Sequence, residues 1–215
     1  MNRSFYSALV ASLVLGFSLS SGASGQCRYQ PELESLKVNW TGYKFTEKAP
    51  VSGWFKKSEI SFGDPNQETK TSLVEFLKLA NVKVTLSSVD SDNWSRDRNL
   101  KKAFFAVWDS GDFATGKLQD LKAKDDNSGV GNLSLMVGGI TKNVPVKYQM
   151  DAAGLVTIEG SLDVLDFNGT NAIASINKKC QDLHKGSDGI SKTWSTVDIR
   201  VTGQVTKLCS RSVGG

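Results

Sequence analysis

From Lys37 onward the sequence is a succession of short segments in which apolar and polar residues alternate, cut apart by clusters of Gly, Asp, Asn and Pro. A pleated strand sends successive side chains to opposite faces, so this alternation describes a sheet with one apolar face. Val38, Trp40 and Gly42 alternate with Asn39, Thr41 and Tyr43. Val51 to Phe55 repeats the pattern, and Ile60 and Phe62 continue it. Val82 to Ser88, Phe113 to Ala123, Leu133 to Val137, Val144 to Met150 and Leu155 to Val164 follow. A last long strand carries Val197, Ile199 and Val201. Gly63-Asp64-Pro65-Asn66, Asp125 to Gly129, Gly138-Gly139 and Asp151 to Gly154 are turn chemistry. Strands of this length and spacing predict an all-β sandwich or barrel.

Three segments break the rhythm. Thr71 to Ala80 reads as a short helix capped by Ser72 or Thr71, with Leu73, Phe76, Leu77 and Ala80 on one face. Asn171 to Leu183 places Ile173, Ile176, Cys180 and Leu183 in an amphipathic helical stripe expected to close or flank the sheet. Between them, Ser87 to Trp108 leaves a strand, crowds Asp90, Asp92, Arg96, Asp97, Arg98, Lys101 and Lys102 together, and ends in Phe104, Phe105 and Trp108. Leu100 and Phe104, four apart, predict a short helix. Dense charge beside aromatics at a strand end reads as the lip of a barrel or the mouth of a pocket.

Residues 1–25 read as a secretory signal peptide: Arg3, the apolar stretch Ala8 to Leu19, then small residues, with cleavage expected after Gly25. The chain is therefore expected in the periplasm or secreted. Gln26 before Cys27 argues against lipid attachment at that cysteine. The apolar stretch is too short to span a bilayer comfortably, and no other run comes near, so stable membrane insertion is not expected. Residues 26–209 form one domain, and 210–215 a loose tail. The formal net charge of +4 is too mild and too evenly spread to indicate nucleic acid.

Three cysteines in an exported chain predict one disulfide and one free thiol. All three pairings are open to the sequence. If the first and last strands are antiparallel neighbours, Cys27 and Cys209 meet across the seam, which favours that pair and leaves Cys180 in the core. Catalytic signatures are missing. There is no G-x-S-x-G elbow, P-loop or dinucleotide fingerprint, and one histidine with three scattered cysteines offers no metal-ligand spacing. No catalytic residue, metal or cofactor is expected.

Four segments resemble the YceI-like family, the exported polyisoprenoid-binding group. They are Val38-Asn39-Trp40-Thr41-Gly42-Tyr43-Lys44-Phe45 with Val51-Ser52-Gly53; Ser88-Val89-Asp90 with Arg96-Asp97-Arg98-Asn99-Leu100-Lys101; Gly160-Ser161-Leu162-Asp163 with Asp166-Phe167; and Ile176-Asn177-Lys178 with Leu183-His184 and Gly189 to Val197. The resemblance implies an extended antiparallel lipocalin-like barrel of eight strands with short helical insertions. It also implies an elongated apolar bore for a long isoprenoid or acyl chain, a binding role rather than an enzymatic one, and a homodimer, since members are often dimeric. Trp54 and Asn93-Trp94 depart from the pattern by adding bulk, which predicts a narrower bore or a different ligand.

A barrel of about eight strands leaves room for one small ligand. The candidate ligand-binding set is Trp40, Phe45, Phe55, Arg96, Arg98, Phe104, Phe105, Trp108, His184 and Trp194. Arg96 and Arg98 suit an anionic head group through forked hydrogen bonds, against the competing reading of a salt-bridge cluster with Asp90, Asp92 and Asp97. Phe104, Phe105 and Trp108 suit either the entrance or plain core. His184 suits donation to a head group or quinone oxygen, or else a structural bond at a helix end. The expected partner is a long-chain amphiphilic lipid. The competing class is a structural envelope protein with its barrel filled by Trp40, Trp54 and Phe55.

Overall fold

The computed structural model describes residues 27–63, 72–109 and 111–209. The signal-peptide reading, the tail at 210–215, the Asp64-Pro65-Asn66 turn and Thr71 lie outside the described residues. Ten strands form one curled antiparallel sheet, a half-barrel: β1 (Cys27–Lys44), β2 (Ala49–Phe55), β3 (Ser58–Phe62), β4 (Ala80–Thr85), β5 (Val89–Asp90), β6 (Phe113–Ala123), β7 (Ser128–Val137), β8 (Ile140–Met150), β9 (Leu155–Asp163) and β10 (Thr196–Cys209). Their order is β3-β4-β6-β7-β8-β9-β10-β1-β2-β5.

The strand count is ten, not the expected eight, because two expected strands are each broken at a corner. Lys56 and Lys57 separate β2 from β3, and a 3-10 turn at Leu86–Ser88 separates β4 from β5. Ser88 makes the corner. Its hydroxyl donates to Thr85 O at 2.6 Å and accepts from Lys57 N at 3.0 Å, replacing ladder bonds. Backbone bonds from Lys56 N to Ser88 O and from Thr85 N to Lys57 O carry the pairing through. The two ends of the sheet are thus joined by the same pair of chain segments.

β1 begins at Cys27, ten positions before its alternation does. Its first half pairs with β10, Cys27 opposite Cys209, and the register slips between Glu32 and Lys37. Ser35 fills the slip, accepting from Gln204 N at 2.7 Å and donating to Glu32 O at 2.6 Å. The irregularity hides this half-strand from a period-two reading. Cys27 and Cys209 are joined in a disulfide, and Cys180 is free and buried.

The helices close the two ends. α1 (Leu73–Leu77) starts where Ser72 accepts from Glu75 N. Leu73, Phe76 and Leu77 are buried, each worth about 1.5–3 kcal/mol. Phe76 stacks on Phe62 and Tyr29. The helix is shorter than expected because Ala80 already pairs with Phe62 in the sheet. At the opposite end lie α2 (Trp94–Asn99), its π-helical continuation Leu100–Phe105, and α3 (Thr170–Lys179). Ile176 and Cys180 are buried against Ala103 as the stripe requires. Leu183 departs from it: α3 ends at Lys179, and Leu183 sits in a following 3-10 turn, 64% exposed.

Candidate functional site

Between the core under α1 and the core around Trp108 and Phe167 the half-barrel encloses a cavity of about 610 Å³. Alternation builds its wall. Val38 and Trp40 of β1 face it beside Val201 and Ile199, their partners on β10. Val82 and Val84 of β4, Leu118 of β6 and Leu133 and Leu135 of β7 continue the apolar lining. Leu183 lines the cavity while exposed, so the cavity reaches solvent at the helical end. Leu33, 55% exposed, marks a second opening in the side, where the first half of β1 pairs with β10 alone and makes no ladder with β3.

Polar groups gather at the helical end. Asn93 caps α2 by accepting from Arg96 N. That turn holds the Arg96 side chain against Ser91: Nε donates to Ser91 Oγ and Nη2 to Ser91 O, both at 2.7 Å. Ser91 in turn donates to Asp97. No carboxylate lies within ion-pair distance of Arg96 among the described residues. Asp90 is bridged instead by Lys56, whose hydrogen bond, with help from Asp92 N, holds the Asp90 carboxyl below the usual range. Neither the charge cluster nor a fully free fork therefore describes Arg96. The side chain is tethered at Nε and Nη2, and Nη1 makes no hydrogen bond among the described residues.

His184 follows the end of α3. Its Nδ1 meets Thr193 Oγ1 at 2.7 Å, and that hydroxyl donates to Asn177 Oδ1 at 3.0 Å. With the only hydroxyl hydrogen directed at Asn177, Thr193 accepts from Nδ1–H, and Nε2 keeps its lone pair. Burial, then the positive charge of Lys44, lower the imidazole pKa, so the ring is neutral near pH 7. The bond to Thr193 is the structural bond at the helix end that the sequence allowed. Asn99 Nδ2 reaches Cys180 Sγ at 3.6 Å, tying α2 to the end of α3. Burial raises the Cys180 thiol pKa.

Of the ten expected ligand residues, Trp40, Phe55, Arg96, Phe104, Phe105, Trp108, His184 and Trp194 line the cavity; Phe45 and Arg98 do not. Phe45 turns outward through a left-handed backbone, φ 62°, with Lys44 over its ring. Arg98 stacks on Trp94, which is 74% exposed. Phe104, Phe105 and Trp108 serve as both lining and core: Phe104 packs edge-on to the other two rings, Phe105 and Trp108 stack, and Trp108 Nε1 donates to Phe167 O at 2.7 Å. The predicted narrowing does not occur. Trp54 takes the opposite parity from Val51, Gly53 and Phe55 and is outside the lining, and Trp94 points to solvent. Missed by the sequence reading were the Thr193–Asn177 relay and Asn99, polar residues brought together by the loop that returns on α3 and by the packing of Leu100–Phe105 on α3.

The described residues hold no group of three metal-ligand side chains and no helix long and apolar enough to cross a membrane. No curated protein matches the chain. Solved structures do. Burkholderia cenocepacia BcnA shares 18% identity at a TM-score of 0.51, covering 82% of this chain and 99% of that one. A polyisoprenoid-binding domain from Saccharophagus degradans, implicated in plant cell wall breakdown, shares 12% identity at a TM-score of 0.50, covering 82% and 97%. Both establish a common fold. The sequence model of the YceI-like domain matches residues 29–205, and the chain therefore belongs to the YceI-like family.

Proposed function

We propose that this protein is an exported lipid-binding protein holding one long-chain amphiphile, a polyisoprenoid, isoprenoid quinone or fatty-acyl compound, for transport, storage or stress protection. The cavity carries the reading. Its 610 Å³ falls in the usual range for small-molecule sites, and its wall is built almost wholly from aliphatic and aromatic side chains. An apolar chain gains free energy by leaving water for such a lining. The few polar groups at the helical end suit a head group: Arg96 Nη1 donates, and His184 Nε2 accepts.

The Saccharophagus neighbour, described as polyisoprenoid-binding, supports the ligand class. The disulfide supports an oxidising compartment, in keeping with a periplasmic or secreted protein. The filled-barrel reading asks Trp40, Trp54 and Phe55 to plug the bore; instead Trp40 and Phe55 form part of an open wall.

Native mass spectrometry and organic extraction of the purified protein test the proposal. A copurifying lipid, or saturable uptake of offered isoprenoids or acyl amides, is the expected result. Neither copurification nor uptake would overturn it.

A further inference from the structure

The rim of the helical-end opening carries features that lipid binding inside the cavity does not need. Three segments contribute lining residues there: 44–48, 92–102 and 178–194. Together they hold ten lysines and arginines against five aspartates and glutamates, so they carry the whole positive excess of a chain whose net charge is +4. The rest of the sequence is close to neutral. The charge is asymmetric, and it is gathered round one hole.

The same rim exposes large apolar groups. Trp94 is 74%, Leu183 64% and Ile190 54% accessible. They sit among cations held over aromatic faces. Lys192 lies 4.0 Å and Lys48 5.0 Å from the Trp194 ring centroid, and Arg98 lies 5.0 Å from that of Trp94. Hydrogen bonds join the first and third segments, Phe45 N to Lys192 O, Trp194 N to Tyr43 O, and Lys44 Nζ to Leu183 O at 3.3 Å, and Asn99 Nδ2 ties the second to Cys180 Sγ at 3.6 Å. Exposed tryptophan and leucine ringed by lysine and arginine stems match the boundary between acyl chains and anionic head groups.

We propose that this rim docks on an anionic phospholipid bilayer, with the opening face down, so that lipid passes between membrane and cavity without crossing water. Trp94, Leu183 and Ile190 enter the interface, and Lys48, Arg98, Lys185 and Lys192 meet lipid phosphates. The contact is peripheral. The purpose of the docking rests on the lumen reading above, but its measurement does not.

Co-sedimentation of the full chain with vesicles tests it. Binding is expected to phosphatidylcholine vesicles containing phosphatidylglycerol, weakening with salt, and not to pure phosphatidylcholine. Each basic residue near an anionic surface is worth about fivefold in affinity, so Lys48→Glu with Lys185→Glu lowers it by more than an order of magnitude. Trp94→Ser lowers it without changing the salt slope. Reversal at Lys124 and Lys147, exposed on β6–β7 and β8 toward the other end, leaves it unchanged. Equal binding to both vesicle types, no binding, or wild-type binding by the rim variants would overturn the docking. Uptake of lipid offered in detergent, measured on the same variants, stays at the wild-type level; its failure in every protein strikes the lumen reading instead.

Discussion

The indole of Trp40 lies directly over Gly53, its partner across the β1–β2 ladder: a Cβ built on Gly53 would fall 2.6 Å from Trp40 Cζ2. The same Cβ would strike the backbone carbonyl of Asp90, on the neighbouring β5. Glycine at this position lets the broadest side chain of the wall lie flat against it, leaving the lumen open. The arrangement has a drawback, since Trp40 Nε1 is buried with no hydrogen-bond partner among the described residues.

Gly53→Ala is therefore expected to destabilise the fold by about 1–3 kcal/mol, in the range for overpacking, and to push the indole into the cavity. Urea denaturation reads the first effect and lipid uptake the second. Adding Trp40→Leu restores uptake but not full stability, because the Asp90 carbonyl remains in the way. Unchanged uptake by Gly53→Ala would show that Trp40 does not border the ligand's path.

The disulfide spans 182 residues of sequence. Chain-entropy arguments give a closure of that length about 5 kcal/mol, with native proteins commonly showing 2–5. Cys27→Ala with Cys209→Ala is expected to lower the melting temperature by roughly 10 °C. Cys180, buried and with a raised thiol pKa, is expected to resist alkylation in the folded oxidised protein and to react on unfolding. Mass spectrometry after alkylation under native and denaturing conditions distinguishes the two.

His184 makes stability depend on pH. Its folded pKa is lowered from the ordinary 6.5, first by burial and then by Lys44, so between those two values the unfolded chain binds the extra proton. Stability rises with pH wherever the unfolded state holds more protons. The contribution is thus complete above about pH 6.5 and is lost as pH falls toward the folded pKa. His184→Gln is expected to flatten this slope in denaturation curves recorded between neutral and mildly acidic pH. An NMR titration of the one imidazole giving an unshifted or raised pKa would contradict the burial account.

Much of this architecture is written in period two. Val38–Trp40, Val82–Val84, Leu133–Leu135 and Ile199–Val201 declare their inward faces by alternation, and each pair lines the cavity. The first half of β1 is silent because a bulge breaks its period, and pairing with β10 decides its conformation. The corners at Lys56–Lys57 and Leu86–Ser88 are silent too: a serine hydroxyl substituting for ladder bonds leaves no periodic trace. Phe45 and Arg98 mislead for a related reason. Each stands next to a lining residue, and a single left-handed residue or half a helical turn sends the neighbour outward. The helical end is the least legible part, since Arg96, Asn99, His184 and Thr193 converge only once Leu100–Phe105 packs on α3 and the loop after α3 folds back on it.

Arg96 offers the sharpest test of that end. Two of its nitrogens are committed to Ser91 and its Nη1 is free, which fits a role that is partly structural and partly ligand-directed. Arg96→Lys retains the charge but loses the fork, and Arg96→Gln loses both. A hydrogen bond to a charged group is worth about 1.5–3 kcal/mol, so Arg96→Gln is expected to weaken an amphiphile with a phosphate head by roughly ten- to a hundredfold. The matching alcohol, with the same tail, should bind within about twofold of wild type, because the apolar wall that holds its tail is untouched. Isothermal titration of both ligands against wild type and both variants separates the outcomes. If Arg96 only pins the loop through Ser91, the two ligands weaken together in Arg96→Gln, and the head group must be held elsewhere.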